Sequence, residues 1–420
     1  MSGFFSLEET QSKTRTSGKI MSCAACGLYK NAHTPRMKPY GEFEKKIMVI
    51  GGMPTERDDR LGIPWQSKFG GMLKRELQRR GVNFEKDILS IHSLACHSST
   101  PLETASALGK EILCCRQKVL SAILKYEPKL VLLVGDLALQ SVIGAIWTKN
   151  LGTMAKWRGH TIPDETYKTW LCPIFDPEYV SVQDAKEYRT IWRQDIENAL
   201  NKLDEPLPHY PKADAVRILE TESEIAEVLS ELLGRKFPFP IAIDYETTGL
   251  KPHDTATHKI VCISLATNPE DAIVFRTPKS KRGRQLLKEV LQSEKIGKVA
   301  QNMKFEHTWT QNILGYEVKN WVWDTMLATH ILDNRPDVTG LKFQTYVNFG
   351  VAGYDDAVAQ YLRGEDPKNS NSVNALAGDL PKEVWNKVLH YCGLDSLFTY
   401  RLATEQKRKI EMRDFDADHS

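Results

Sequence analysis

Hydrophobic and polar positions along the chain predict two successive α/β domains. In the first half, short apolar runs that end at glycines or polar residues are typical of buried strands, and longer stretches with one apolar face predict helices. The predicted strands are 46–52, 87–95 and 129–135. The predicted helices are 69–81, 109–126 and 136–144. This alternation favours a parallel sheet with helices on both faces, an αβα arrangement.

The second half shows closely spaced strands first and helices later. The predicted strands are 239–246, 258–267, 271–277 and 298–302. The predicted helices are 222–234, 304–314, 324–333 and 381–410. Early hairpins with later helices predict a mixed sheet surrounded by helices. The segment DEPLPHYPKAD between the halves shows no regular period, so we expect a domain at 20–203, a linker at 204–214 and a domain at 215–420.

The composition is typical of a globular protein. Hydrophobic residues make up 41% and charged residues 26% of the 420 residues, and no apolar run reaches the length of a membrane span. The first residues lack the apolar core of a secretory signal, so we expect a cytoplasmic location. The net charge of +2 favours neither presence nor absence of a nucleic-acid partner.

Two carboxylates on a predicted strand give the first sign of chemistry. Asp244 and Glu246 are two positions apart, so both side chains point to one face at the end of an apolar run. Such a pair repels unless a cation lies between its members, and hard divalent cations prefer oxygen ligands. Taken alone, however, the pair is better explained by a solvated strand end.

Two later segments add groups to this candidate site. Glu306 follows a predicted strand. Asp395 follows Tyr391 by four positions on a predicted helix, which places both on one helix face. Their neighbours are apolar, and burying Asp395 is costly without a metal or a partner.

The segments AIDYETTGL, VAQNMKFEHTW, WDTMLATHILD and YCGLDSLFTYRL resemble the 3′→5′ exonuclease domain of family-A DNA polymerases, the DEDDy group of RNase-H-like exonucleases. The resemblance covers about residues 215–410. It implies that Asp244, Glu246 and Asp395 bind two Mg²⁺ or Mn²⁺ ions. Tyr391 would position the attacking water. Glu306 stands where the pattern has aspartate, and we expect the site to tolerate the longer side chain.

The same resemblance implies a reaction and a substrate. Two-metal hydrolysis would release nucleoside 5′-monophosphates from DNA 3′ ends or single strands. Asn302 and Lys304 would shape the substrate loop, and Asp324 would have a structural or substrate-positioning role. No polymerase region follows residue 410, so the polymerase is either a separate partner or a C-terminal region of a longer chain. Such a combination suits a bacteriophage replication system, which would act in the host cytoplasm.

The cysteines of the first half predict a second kind of site. Cys23 and Cys26 form a CxxC pair, and Cys96 and the adjacent Cys114 and Cys115 follow. In a reducing compartment, cysteines from separate segments favour zinc or an iron–sulfur cluster over disulfides.

The segments CAACGLYKNA, KIMVIGGMP, DRLGIPW, LACHSSTP, EILCCRQ and PKLVLLVGDLAL resemble the family-4 uracil-DNA glycosylases over about residues 20–200. These enzymes carry a [4Fe–4S] cluster, which makes zinc the less favoured metal. The cluster ligands carry over to Cys23, Cys26, Cys96 and Cys115, with Cys114 as the alternative fourth ligand.

The catalytic positions of that family are altered in this chain. The water-activating carboxylate is missing from Gly51–Thr55, His92 replaces the uracil-reading asparagine, and Asp176 stands at the family's histidine. Trp65 replaces the base-stacking phenylalanine, so Trp65 and His92 are the expected base-contacting residues. Losing one polar partner costs ~1–3 kcal/mol, so three losses should remove most uracil hydrolysis.

These observations predict a metal-dependent 3′→5′ DNA exonuclease fused to a degenerate glycosylase-like DNA-binding module with a structural cluster. One alternative is an active glycosylase of altered base specificity, for which Glu56, Asp58 or Asp59 would supply a relocated carboxylate. Another is a non-catalytic polymerase accessory factor. The altered glycosylase positions argue against the first alternative, and the clustered acids argue against the second.

Overall fold

The computed structural model describes residues 22–98, 109–183, 185–210, 215–366, 368–369 and 372–418. The described residues form two compact units. Unit 1 contains the chain up to Pro208 together with Tyr346–Gly353, and unit 2 contains His209–Thr345 and the chain from Tyr354 onward. The boundary falls within the expected linker, of which 211–214 lie outside the described residues, as do residues 20 and 21 of the expected first domain.

The elements of the first half are α1 Cys23–Cys26, β1 Ile47–Gly51, α2 Glu56–Leu61, α3 Lys68–Gln78, α4 Phe84–Asp87, β2 Ile88–His92, α5 Gly109–Tyr126, β3 Leu130–Val134, α6 Asp136–Ile146, α7 Met154–Trp157, β4 Ile162–Asp164, β5 Thr169–Ile174, α8 Pro177–Val182 and α9 Lys186–Leu200. The sheet order is β2–β1–β3–β5–β4. All neighbours are parallel except β4, which runs antiparallel to β5. The expected parallel α/β sheet is confirmed, and the short edge strand β4 tolerates its central Pro163 because one side is unpaired.

The elements of the second half are β6 Val216–Leu219, α10 Glu222–Gly234, β7 Ile241–Thr247, β8 Ile260–Ala266, β9 Ala272–Arg276, α11 Lys281–Gln292, β10 Lys298–Ala300, α12 Lys304–Trp309, β11 Trp321–Asp324, α13 Thr325–Leu332, α14 Leu341–Phe349, α15 Ala359–Leu362 and α16 Lys382–Asp418. The sheet order is β11–β10–β7–β8–β9–β6. β7–β8 and β8–β9 are antiparallel and the other neighbours are parallel, so the predicted mixed sheet is confirmed. None of the helices among the described residues has the length and hydrophobicity needed to cross a bilayer.

Two details of the second half differ from the sequence prediction. The first element is not helix α10 but strand β6, which pairs with β9. The helix predicted over 304–314 changes to a π-helical turn at Thr310–Leu314. The reason lies in Thr310, whose hydroxyl donates to the Glu306 carbonyl at 2.7 Å and also meets the Tyr245 hydroxyl at 2.9 Å. These contacts tie the turn to β7 and interrupt the regular helical ladder.

Helix α16 lies directly against the strands that carry the carboxylates. It packs on β7, β8 and β9. The Ser264 hydroxyl on β8 donates to the Cys392 carbonyl on α16 at 2.7 Å. A Cβ on Gly393 would lie only 2.3 Å from the Val216 side chain, so only glycine allows this close approach to β6. The helix therefore brings Tyr391 and Asp395 to the acidic face of β7.

Candidate active site

Strand β7 orients the first two carboxylates. In its pairing with β8, Asp244 lies opposite Ser264 and Glu246 lies opposite Cys262. The intervening Tyr245 points to the other face, where it is 4% exposed and packs in the apolar core. Period-two alternation thus buries Tyr245 as an anchor and directs Asp244 and Glu246 together toward α16.

Helix α16 adds the thiol of Cys392, which is not among the residues predicted for this site. The Cys392 Sγ lies 3.7 Å from Asp244 Oδ2. Ligand atoms of Asp244, Glu246 and Cys392 all lie within 4.8 Å of one another. Cys392 follows Tyr391 directly, but its position on the acidic face depends on the depth at which α16 packs. No sequence pattern sets that depth.

Asp395 is buried in the same region and has two partners that the sequence analysis missed. The Tyr354 hydroxyl donates to its Oδ1 at 2.6 Å, and the Lys342 ammonium contacts the same oxygen. The ammonium also lies 4.4 Å from the centre of the Tyr391 ring. Tyr354 and Lys342 lie 41 and 53 positions before Asp395, so no local spacing could have indicated either contact.

The acids of this cluster repel one another. Burial raises the pKa of Asp244, Glu246 and Glu306 well above the usual range. The charge of Asp395 adds to the rise for Asp244, and the charge of Asp244 adds to the rise for Glu246 and Glu306. The Lys342 ammonium opposes these effects at Asp244 and Glu246.

Glu306 lies at the N-terminal end of α12 and is 3% exposed. Its Oε2 atom is buried and has no hydrogen-bond partner among the described residues. An orphaned carboxylate oxygen beside mutually repelling acids fits a divalent cation, because a hard cation supplies the missing partner and the missing positive charge. The donor set therefore suits the divalent metal that an exonuclease domain requires.

The loop before Glu306 is held by Asp324. Its two carboxylate oxygens accept hydrogen bonds from the backbone N–H groups of Asn302 at 3.1 Å and Met303 at 3.0 Å. Oδ1 also caps α13 through the Met326 N–H at 2.9 Å. Asn302 has a positive φ of 65°, a conformation that asparagine adopts more readily than most residues. Lys304 is exposed at the first position of α12.

Metal-free protein should lose stability as the pH rises, and Mg²⁺ should weaken that dependence. The folded pKa values of Asp244, Glu246 and Glu306 lie above the ordinary values of 3.8 for Asp and 4.5 for Glu. The folded state then binds more protons than the unfolded chain, so stability falls from these ordinary values up to the raised ones. Thermal melts between pH 5 and 8 measure this loss of stability. Each kcal/mol lost from the free energy of unfolding lowers the melting temperature by about 2–4 °C. An unchanged pH profile with Mg²⁺ would contradict metal binding by these acids.

The four cysteines expected to bind a cluster come together in unit 1. α1, with Cys23 and Cys26 at its two ends, packs against α5, which carries Cys115. Cys96 is 7% exposed and its Sγ accepts the Arg36 N–H at 3.2 Å. Burial raises the pKa of the Cys96 and Cys115 thiols, and the sulfurs of Cys23 and Cys26 add to the rise at both.

The two adjacent cysteines of α5 differ in their neighbours. Burial is the largest cause of the raised pKa of the Cys115 thiol, and Cys96 is among the groups that add to it. Burial is also the largest cause of the raised pKa of Cys114, and Cys26 and Glu111, a side chain of α5 itself, add to that rise. Consecutive helical residues point about 100° apart, so the two thiols face different directions. Cys23 and Cys26 raise the pKa of both thiols, and Cys96 raises that of Cys115 as well.

The two residues expected to contact a base in the glycosylase-like domain contact each other. The rings of Trp65 and His92 stack with their centres 5.6 Å apart and their planes 23° apart. A base between two rings needs a separation of about 7 Å, twice the ordinary contact distance. A Cβ on Gly51 would lie 2.6 Å from the Trp65 ring, and Trp65 itself has a φ of 63°. Trp65 and His92 therefore contact each other and leave no gap for a base between them.

The polar side chains near Trp65 do not provide an obvious general base that could activate a water molecule. Neither ring nitrogen of His92 has a hydrogen-bond partner among the described residues, and burial lowers its pKa to about 4, so the ring is neutral. Asp176 caps α8 by accepting the Glu178 N–H at 2.7 Å, and burial raises its pKa to about 6.

The acids considered as relocated carboxylates hold the backbone instead. Asp58 accepts the N–H groups of Thr55 at 2.9 Å and Gln66 at 2.6 Å, one on each oxygen. Asp59 accepts the N–H groups of His33 at 2.7 Å and Thr34 at 2.9 Å in the same way. Glu56 is exposed and pairs with Arg60. The carboxylates of Asp58 and Asp59 therefore hold nearby loops through backbone hydrogen bonds.

Comparison with known proteins finds a different family in each half of the chain. Residues 38–200 match the uracil DNA glycosylase superfamily, and residues 216–411 match the 3′-5′ exonuclease family. The chain thus joins a domain of the uracil-DNA glycosylase superfamily to a 3′-5′ exonuclease domain.

Individual relatives match one or both domains. A type-4 uracil-DNA glycosylase of Thermotoga maritima is 26% identical over 183 residues, covering 44% of this chain and 90% of that protein. A DNA polymerase of Bacillus phage SP01 is 23% identical over 415 residues, covering 92% of this chain. The chain spans only 42% of the length of that polymerase. The structure of Escherichia coli RNase D is 15% identical, with a TM-score of 0.36, and the match covers 49% of this chain and 46% of RNase D.

Proposed function

We propose that this chain removes nucleotides from DNA 3′ ends at the acidic cluster of unit 2, and that unit 1 is a glycosylase-like DNA-binding module. One observation supports this most strongly. The ligand atoms of Asp244, Glu246 and Cys392 lie within 4.8 Å of one another. The charges of Asp244 and Asp395 raise the pKa of Glu306, whose buried Oε2 has no partner among the described residues. A protein that only binds DNA gains nothing from such mutually repelling buried acids.

In this proposal, Asp244, Glu246 and Asp395 hold the divalent cations, and Glu306 contributes the fourth carboxylate. When bound, such cations lower the pKa of water and neutralise the phosphate during hydrolysis. Tyr391 orients the attacking water. Burial, with the nearby charge of Asp395, raises the pKa of Tyr391 well above its usual value, so its hydroxyl keeps its proton and acts by hydrogen bonding.

The relatives support a DNA substrate for the proposed reaction. The phage polymerase that matches both halves, and DNA polymerase I of Synechocystis, which is 28% identical over 211 residues, favour DNA over RNA. The products would be nucleoside 5′-monophosphates. A mismatched 3′ end frays from its template into a single strand. We therefore propose a proofreading role in the cytoplasm beside a polymerase. The polymerase would be either a separate chain or a further region of this protein.

Unit 1 would carry a [4Fe–4S] cluster on Cys23, Cys26, Cys96 and Cys115. The type-4 glycosylase relative supports this choice. The cluster would stabilise unit 1 without taking part in hydrolysis.

A gel assay tests the exonuclease directly. A single strand and a mismatched primer–template, both labelled at the 5′ end, are incubated with the full chain and Mg²⁺ or Mn²⁺. We expect a ladder that shortens from the 3′ end, no digestion in EDTA, and faster digestion of the mismatched end than of a paired one. Correctly folded protein that digests neither substrate with either metal would overturn the proposal and favour the accessory-factor alternative.

Uracil release should be absent or very slow. The altered polar positions and the Trp65–His92 stack remove the groups and the space for a flipped base, so the rate should be at least about 100-fold below that of an active type-4 enzyme. The measurement counts alkali-labile sites in a uracil-containing duplex. EDTA in the reaction keeps the nuclease inactive. Rapid base release from uracil or a modified base would instead support the active-glycosylase alternative.

A further inference from the structure

Lys342 places a positive charge among the proposed metal ligands. Its ammonium contacts Asp395 Oδ1 and lies between two aromatic rings, 4.4 Å from the centre of Tyr391 and 4.6 Å from the centre of Tyr354. Both rings present their negative faces to the cation, which holds the ammonium at this place. The lysine therefore contacts one proposed metal ligand and the residue proposed to orient water.

The contact differs from an ordinary surface ion pair. The Asp395 side chain is 6% exposed and the Lys342 side chain is 22% exposed. Lys342 is carried by α14 and Asp395 by α16, so the pair depends on tertiary packing and not on helical spacing. A partly buried ammonium loses hydration, and its contact with the Asp395 carboxylate offsets that loss.

A metal ion on Asp395 and the ammonium on the same carboxylate oxygen compete for charge and space. A metal ion bound at Oδ1 would displace Lys342 from that oxygen. The lysine side chain has four rotatable carbon–carbon bonds and is partly open to solvent, so it can turn without moving α14. The scissile phosphate is the anion that enters this region with the substrate.

We propose that Lys342 is a phosphate-binding residue of the exonuclease site that changes partner. It neutralises Asp395 in the metal-free protein, and it contacts the phosphate of the 3′-terminal nucleotide once metal ions occupy the carboxylates. This inference rests on the proposed exonuclease function. It gives Lys342 a direct contact with substrate and makes it a competitor of the metal at Asp395.

Two substitutions in the full chain test the inference. Lys342→Met keeps the length of the side chain but removes its charge, whereas Lys342→Arg keeps the charge. Lys288→Met is a matched control, because Lys288 is exposed on α11 and its ammonium lies 5.6 Å from the centre of the Tyr316 ring. Mn²⁺ binding is measured by calorimetry without DNA, and kcat and KM are measured on single-stranded DNA with Mg²⁺.

Lys342→Met should bind Mn²⁺ more tightly, because the competing ammonium is absent, and its kcat should fall by about 10- to 100-fold, the usual effect of losing a hydrogen bond to a charged group. Lys342→Arg should stay within a few-fold of the original chain in both measurements, and Lys288→Met should match it. If Lys342→Met does not fold, Lys342→Gln carries the same comparison.

Unchanged Mn²⁺ affinity together with unchanged kcat would overturn the inference. Tighter Mn²⁺ binding with unchanged kcat would overturn the phosphate contact, since Lys342 would then be only a counter-ion. Absence of cleavage by the original chain would be a failure of the proposed function. Even in that case, calorimetry would still decide whether Lys342 competes with the metal.

Discussion

Replacing Asp244 with asparagine should reduce the rate of 3′ cleavage by about 10³-fold or more. The site would lose a proposed metal ligand and the negative charge that attracts the divalent cations. The same substitution should raise the melting temperature of the metal-free protein. The charge of Asp395 raises the pKa of Asp244, and the charge of Asp244 raises the pKa of Glu246, so the neutral amide removes this repulsion. Activity and stability should therefore change in opposite directions.

A matched control is available in the same domain. Asp271 is exposed just before β9, where its Oδ1 accepts a local hydrogen bond from the Asn268 side-chain amide at 3.0 Å. Asp271→Asn should leave cleavage and the stabilisation by Mg²⁺ unchanged. Thermal melts with EDTA and with Mg²⁺ give the stability comparison. If Asp244→Asn retained cleavage, or if it lowered the melting temperature of metal-free protein as a simple loss of contacts would, the proposed role of this carboxylate would be wrong.

Replacing Cys115 with alanine should remove the proposed iron–sulfur cluster from unit 1, whereas replacing Cys114 should not. Cys96, Cys23 and Cys26 all act on the Cys115 thiol, and a cluster held by four thiolates does not survive the loss of one that has no substitute. We expect the iron content to fall from about four atoms per chain to nearly none, with loss of the visible absorbance. Unit 1 should then melt at a lower temperature, since metal binding contributes directly to folding.

The adjacent residue makes the comparison sharp. Cys114→Ala changes the same chemical group one position away on α5, so differences in expression or oxidation affect both variants alike. Anaerobic purification followed by iron and sulfide analysis measures the outcome. Loss of iron in Cys114→Ala with retention in Cys115→Ala would reverse the assignment of the fourth ligand. Zinc in the original chain, with no visible colour, would contradict the cluster itself.

The sequence was sufficient to locate the main acids of the candidate site. Asp244 and Glu246 share a face because strand side chains alternate, and Tyr391 and Asp395 share one because helical residues four apart are neighbours. Both relations are local, so they hold before the fold is known. The order of four motifs then implied that the separate segments converge.

Contacts that depend on the depth and angle of packing were not predictable in the same way. Lys342 on α14 reaches Asp395 on α16 through a side-chain contact between segments that are 53 positions apart. Cys392 reaches Asp244 because Gly393 permits a close approach to β6. Trp65 and His92 were each recognised as pocket residues, but their mutual stacking depends on a positive φ at Trp65 and on the missing side chain of Gly51. No residue pattern along the chain encodes these distances.

Fold class was easier to predict than the short peripheral strands. The long runs β1, β3, β7 and β8 are almost entirely buried, and their continuous apolar character identifies them. β6 and β11 have four residues each and are only partly buried. Both lie at the edges of the sheet, where one side of each strand has no hydrogen-bonded neighbour. Their sequences therefore contain few of the consecutive apolar residues that identify a buried strand.

The most direct measurement follows a single labelled nucleotide. A primer with a mismatched, labelled 3′-terminal nucleotide and an internal uracil is annealed to a template and incubated with the full chain and Mg²⁺. The account predicts that the label is released as a nucleoside 5′-monophosphate, that EDTA stops the release, and that uracil is not released as a free base. Retention of the label at the 3′ end, while uracil appears as free base, would contradict the account and assign the activity to unit 1.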